Sequence, residues 1–182
     1  QEAFMAKKNL KYFIPGAIAL VLGIVAFCMM FLPAITFNAG DSSSDGWTGA
    51  QIAFGYKESF LGQEITVLNF NFLVFLAFLL PLVGGILALL FKNGLITKIV
   101  TTACFVVGAV LLFSIVGLSG IGRVSLEEGN IINEAVNAFL DELYKAIDST
   151  KGMGIGAILG AIFSIIGAVA CFFKGTIAKL FK

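Results

Sequence analysis

Four long apolar segments alternate with polar stretches along the chain. A helix needs about 20 mostly apolar residues to cross the hydrocarbon core of a bilayer. Four segments meet that requirement without any Lys, Arg, Asp or Glu: residues 12–32, 68–91, 99–118 and 152–173. The pattern predicts an all-α membrane protein, a four-helix transmembrane bundle that forms a single domain over residues 1–182.

The first apolar segment follows a basic flank that contains three lysines between residues 7 and 11. Secretory signal peptides also begin with a basic flank, but their apolar core has roughly 7–15 residues. Residues 14–32 exceed that length, so a retained first span is favoured. We expect the native chain to begin at Met5 and residues 1–4 to be left over from cloning.

Charged residues are divided unequally between the two sets of segments that flank the spans. The two termini and the 92–98 turn contain eight lysines, whereas the other two loops contain four basic residues and ten acids. Short segments rich in Lys and Arg stay on the cytoplasmic side of a membrane. We therefore predict a plasma membrane protein with both termini cytoplasmic and with extracytoplasmic loops at residues 33–67 and 119–151.

The first of these loops combines short strand-like runs with a polar tip. Residues 35–37, 51–56 and 64–68 mix β-branched or aromatic residues with polar ones, which predicts a small antiparallel β-sheet of about three strands. Residues 41–46 are rich in Asp and Ser and predict a flexible turn or a disordered tip. Trp47 is a candidate interaction residue, although anchoring at the lipid interface or packing under the sheet is favoured over recognition of a partner.

The second loop has the periodicity of an amphipathic helix that ends near Ser149. Its apolar positions recur at spacings of three and four, on one face of a helix: Ile132, Val136, Phe139, Leu143 and Ile147. The other face is acidic, which disfavours contact with anionic lipid. We expect the apolar face to pack on the sheet of the first loop or, as the second possibility, to bind another protein.

Small residues at a spacing of four mark one face of the fourth span. Gly156, Gly160 and Ser164 lie on this face. Helices in lipid associate by close backbone approach, which small residues permit. The stripe therefore predicts helix packing, either within the bundle or between copies of the chain.

The sequence contains few groups that could carry out catalysis or bind a metal or a cofactor. The chain has no histidine, and its three cysteines all lie within predicted spans. The carboxylates of the second loop lack the spacing of a calcium-binding loop, so no catalytic, cofactor-binding or metal site is predicted. The predicted spans contain no ionisable group of the kind that ion-coupled transporters use. A net charge of only +1 argues against nucleic acid as a partner.

The four spans, the long first loop with Trp47-Thr48-Gly49 and the helical second loop resemble the claudin-type tetraspan architecture. Claudins carry a W-G-L-W-C-C signature in the first loop, whereas Trp47 stands here without a second Trp or either Cys. The resemblance implies a topology and no specific role.

Two functions fit these observations. The leading hypothesis is a non-enzymatic multi-pass membrane protein that acts as a structural, accessory or interaction subunit through its extracytoplasmic loops. Its partners would be the lipid bilayer and either a second copy of the chain or another membrane protein. The alternative is a small oligomeric channel or permeation component.

Overall fold

The computed structural model describes residues 2–39, 42–60, 63–91, 94–120, 138–139, 142, 145–147 and 149–180. Its helices are α1 (Glu2–Cys28), α2 (Gly49–Phe54), α3 (Phe72–Leu90), α4 (Leu95–Phe113), α5 (Ile115–Leu118), α6 (Ile155–Phe172) and α7 (Lys174–Leu180). Its strands are β1 (Ile35–Ala39), β2 (Ser42–Asp45), β3 (Tyr56–Phe60), β4 (Gln63–Leu68) and β5 (Lys151–Met153).

Four helical segments are long and apolar enough to cross a membrane: Phe13–Phe31, Phe72–Leu90, Leu95–Phe113 and Ile155–Phe172. The chain is therefore a multi-pass membrane protein with a mostly helical fold, as the hydrophobic pattern predicts. The third span begins at Leu95, four residues before the predicted start, and Gly94 is the N-cap residue of this helix. Lys98 consequently lies in the first turn of α4, where a long side chain can extend to the membrane interface.

The four spans form a ring in which α1 packs against α3 and α6, and α4 packs against the same two helices. Glycines allow α1 and α3 to approach closely. A Cβ atom at Gly16 would lie 2.8 Å from the backbone oxygen of Ala88, and one at Gly85 would lie 2.8 Å from the Cα of Leu20. This contact follows the rule that small residues bring backbones together in lipid.

The bundle has two ends with different structures. At the loop end, α1 leads into β1 and β5 leads into α6; at the lysine end, α3 turns into α4 and α6 continues into α7. A large apolar cluster around Phe78, Met30 and Leu112 joins the helices to the loop end. A smaller cluster around Phe105 and Cys171 lies between the helices and belongs to neither loop.

The first loop differs from the predicted three-stranded sheet in two respects. Residues 51–54 belong to helix α2, so the strand predicted there is wrong, and the sheet strand β3 begins only at Tyr56. The polar tip predicted as a flexible turn contains β2, which pairs with β1. The strands form two sheets, one ordered β2-β1-β5 and the other a β3-β4 hairpin.

Hydrogen bonds in its first turn explain why α2 forms a helix. Gln51 N donates to the Thr48 hydroxyl at 3.2 Å, and Thr48 N donates to the Gln51 side-chain oxygen at 2.9 Å. This reciprocal capping box satisfies two donors that a helix start leaves without partners. Ile52 and Ala53 are then buried against the bundle, which stabilises the helix over an extended strand.

Candidate functional site

The loop end brings the two predicted loops into one sheet. Strand β5 begins at Lys151, the last residue of the predicted second loop, and includes residues 152 and 153, so the fourth span begins later than predicted, at Ile155. This strand pairs antiparallel with β1, from the first loop, with Ile35 opposite Met153 and Phe37 opposite Lys151. On its other side β1 pairs with β2, with Thr36 opposite Asp45. The central strand therefore connects segments more than 100 residues apart in the sequence.

The start of β1 is held by backbone hydrogen bonds from two directions. The amides of Ala34 and Ile35 donate to the Trp47 oxygen at 2.9 and 3.2 Å, and the Gly154 amide donates to the Ala34 oxygen at 2.9 Å. A Cβ atom at Gly154 would lie 2.7 Å from the carbonyl carbon of Ala34. Glycine is therefore needed where α6 begins, because the backbone of the first loop passes directly against it.

Two side chains add further ties near the end of α5. The Asn71 amide donates to the Leu118 oxygen at 2.6 Å, and the Lys151 ammonium donates to the Ser119 oxygen at 2.6 Å. The Asn71 carbonyl oxygen also accepts from the amides of Leu73 and Val74, which caps the start of α3. These bonds fix the loop end to the spans beneath it.

Trp47 lies in the interior layer of the loop end. Its ring meets the ring of Phe37 edge to face, with the centroids 5.0 Å apart, and it packs against the apolar cluster around Phe78. Trp47 is half-buried. The structure thus places it in the packing position, and its contact with a partner stays a prediction.

The predicted apolar stripe of the second loop falls mostly outside the described residues. Ile132, Val136 and Leu143 are outside them. Phe139 and Ile147 are helical, Phe139 with 65% of its surface exposed and Ile147 half-buried. The helical conformation of these two residues agrees with the predicted helix. What its apolar face packs against stays a prediction.

The small residues of the fourth span face the interior of the bundle. Gly156, Gly160 and Ser164 are all buried. A Cβ atom at Gly156 would lie 2.7 Å from the Met29 oxygen, and one at Gly160 would lie 3.2 Å from Leu112. The stripe therefore packs against other helices of the same chain, which is the first of the two kinds of packing considered for it.

The outward faces of the spans have a uniform chemistry. Within the four spans, every residue that the structure shows as exposed is apolar, including Ala103 and Cys28. Helices of 18 or 19 residues are about 27–29 Å long, which is close to the thickness of the hydrocarbon core of a bilayer. The outer surface is therefore suited to lipid acyl chains.

The lysine end contains a buried cation that sequence reasoning did not single out. Lys174 is only 5% exposed, and its ammonium group donates to the backbone oxygens of Ala88 at 2.5 Å and Phe91 at 3.4 Å. These oxygens lie at the carboxyl end of α3, where carbonyls lack helical partners and the helix dipole favours a positive charge. Lys174 therefore caps a helix from another part of the chain.

The environment of Lys174 shifts the pKa of its ammonium group. Burial lowers the pKa of its ammonium group, and the nearby charge of Lys98 lowers this pKa further, while the Cys171 thiol acts in the opposite direction. A charge removed from water is stable only with compensating partners. The carbonyls at the end of α3 supply that compensation.

The cysteines and carboxylates supply no metal site among the residues that the structure describes. Cys28 is exposed on α1, Cys104 is half-buried and Cys171 is buried, and all three are free thiols. Cys171 packs in the apolar cluster around Phe105, whereas Cys28 lies on the outer surface.

Two features were missed from the sequence: helix α2 and the contact of Lys174 with α3. Only the first has a local signal in the sequence. The Thr48-x-x-Gln51 spacing is a capping-box signal that predicts the start of α2. In contrast, nothing local indicates that Lys174 reaches α3, because its partners lie 83 and 86 residues earlier.

No family model, no curated protein and no solved structure matches this chain. The likeness to claudins accordingly stays a resemblance of topology.

Proposed function

We propose that this multi-pass protein is a non-enzymatic structural or accessory subunit that binds a second copy of itself or another membrane protein through its loop end. The observation that carries the proposal is the union of both loops in the β2-β1-β5 sheet. Hydrogen bonds to the Trp47 and Ser119 oxygens and from the Gly154 amide tie β1 and β5 to the segments around them. A preorganised surface loses less conformational freedom when it binds a partner.

The second-loop helix supplies the contact surface in this proposal. Phe139 exposes most of its side chain, and exposed apolar groups outside the bilayer mark interaction sites when they are contiguous. The predicted stripe from Ile132 to Ile147 would make this surface contiguous. In this proposal the surface lies outside the cell, at the plasma membrane, with both termini in the cytoplasm, an orientation that the lysine distribution supports.

The alternative of an oligomeric channel requires polar side chains at the surface shared between subunits. The exposed residues of the four spans are apolar, and the small polar residues Thr101 and Ser164 are buried within the chain. A binding role is therefore favoured over permeation. Flux of ions or small solutes in liposomes that contain the purified protein would reverse this preference.

Size determination in mild detergent tests the proposal. We expect a protein mass above the 19.3 kDa of one chain. Phe139→Ser should lower the assembled fraction, whereas Lys145→Ser, at another exposed position of the same loop, should leave it unchanged. A strictly monomeric protein without a bound partner, or equal behaviour of the two variants, would contradict the proposal.

A further inference from the structure

A groove opens between α3 and α4 at the lysine end. It has a volume of about 290 Å³, and its walls are formed by Leu87, Phe91, Ile96, Thr97, Val100 and Thr101. The Thr101 hydroxyl donates to the Thr97 oxygen at 2.8 Å, so it is satisfied within α4 and does not require a polar ligand. The groove therefore suits an apolar chain.

The termini and the 92–98 turn, to which Lys98 belongs, contain mostly positive charges. Glu2 is the only acid outside residues 41–64 and 127–148, whereas eight lysines belong to the termini and the 92–98 turn. Lys98 follows Thr97 directly in the first turn of α4, and its side chain is half-buried. An occupant with a negatively charged head would complement this end of the bundle.

Lys174 places a second positive charge beside this groove. Its ammonium group binds the backbone oxygen of Phe91, a groove residue, and has no carboxylate among the partners that the structure gives it. Lys98 and Lys174 are close enough to repel each other. A phosphate near Lys98 would reduce that repulsion.

We propose that the groove between α3 and α4 binds one anionic phospholipid, with an acyl chain along Leu87, Phe91 and Val100 and the headgroup phosphate at Lys98. Basic pockets between membrane helices on the cytoplasmic side commonly hold such headgroups. This site is separate from the loop end and does not depend on the proposed binding of a protein partner.

Native mass spectrometry of the delipidated protein tests this site with two lipids of identical acyl chains, phosphatidylglycerol and phosphatidylcholine. We expect one phosphatidylglycerol to bind in preference to phosphatidylcholine. Lys98→Gln should weaken phosphatidylglycerol binding about fivefold, the effect of one lysine near an anionic surface. Lys145→Gln, at the loop end, should leave it unchanged.

A second pair of variants tests the groove itself. Val100→Trp fills the groove, whereas Val107→Trp adds the same bulk to a comparably exposed position two turns further along α4. We expect only Val100→Trp to abolish the bound lipid. Excess inorganic phosphate should not displace the lipid, because phosphate lacks the acyl chain.

Three results would overturn the proposal: equal binding of both lipids, equal binding by the two tryptophan variants, or displacement by phosphate alone. If Val100→Trp does not fold, the result with Lys98→Gln decides the outcome, since this substitution changes charge without adding volume. Unchanged selectivity in Lys98→Gln would then reject the site.

Discussion

The ammonium group of Lys174 lies 2.5 Å from the backbone oxygen of Ala88, a residue 86 positions earlier in the chain. This hydrogen bond joins the start of α7 to the end of α3. It places a cation at the negative end of a helix dipole, where it also satisfies carbonyls that would otherwise lack partners. At the lysine end a side chain thus ties α7 to α3, whereas at the loop end a sheet joins the two loops.

We expect Lys174→Met to destabilise the folded protein by about 1–3 kcal/mol, the penalty for leaving buried polar groups without partners. Methionine keeps a long unbranched side chain, so the change mainly removes the donor. The free energy of unfolding in bicelles measures the effect, with Lys145→Met as the exposed control. Equal stability of the two variants would show that Lys174 does not cap α3.

The lowered pKa of Lys174 predicts a dependence on pH. The ordinary pKa of lysine is 10.5, and burial lowers it in the folded protein. Between the two values the unfolded chain binds more protons, so stability rises with pH across that window. We expect the wild type to gain stability relative to Lys174→Met as the pH approaches 10.5 from below.

The neutral amine keeps two N–H groups, which suffice for the oxygens of Ala88 and Phe91. The difference in unfolding free energy between wild type and Lys174→Met, measured at several pH values, isolates this group from the other lysines. A difference that falls or stays constant with rising pH would contradict the prediction.

Gly167 and Gly117 should respond in opposite directions to alanine. A Cβ atom at Gly167 would overlap the buried ring of Phe105, whereas one at Gly117 would meet nothing within 4 Å. We expect Gly167→Ala to cost about 1–3 kcal/mol through overpacking. Gly117→Ala should stabilise α5 by about 0.5–1 kcal/mol, since alanine loses less backbone entropy.

Thermal unfolding of the two variants in the same detergent checks the sign of each change in stability. The double variant Gly167→Ala with Phe105→Leu should recover part of the loss, because the smaller side chain makes room for the methyl group. Equal effects of the two alanine substitutions would show that α6 and α4 leave room for a methyl group at Gly167.

The orientation predicted from the lysines can be tested in whole cells. In a variant without the native Cys28, Cys104 and Cys171, Asn69→Cys places one thiol at the loop end and Thr176→Cys places one at the lysine end; both positions are exposed. We expect a membrane-impermeant maleimide to label Asn69→Cys in intact cells and Thr176→Cys only after permeabilisation. The reverse pattern would overturn the predicted sidedness.

Much of the membrane architecture follows from the sequence alone. The transfer of a segment into a bilayer depends on the composition of about 20 consecutive residues, so each span can be recognised without knowing its neighbours. The helix at Thr48 has a local signal too, because the capping box joins residues only three positions apart. The strand predicted over this helix is wrong because a short run of apolar and aromatic residues fits a strand and a buried helical turn equally well.

Only the tertiary structure decided which distant groups meet. β5 is three residues long and has no local strand signal, and it forms because the backbone of β1 offers it hydrogen bonds. Sequence spacing marks Gly156 and Gly160 as packing residues, but it does not show whether they face the interior of the bundle or its outer surface. The neighbouring helices determine that they face the interior. Lys174 likewise looks like any lysine at a membrane boundary until the chain brings the end of α3 within reach.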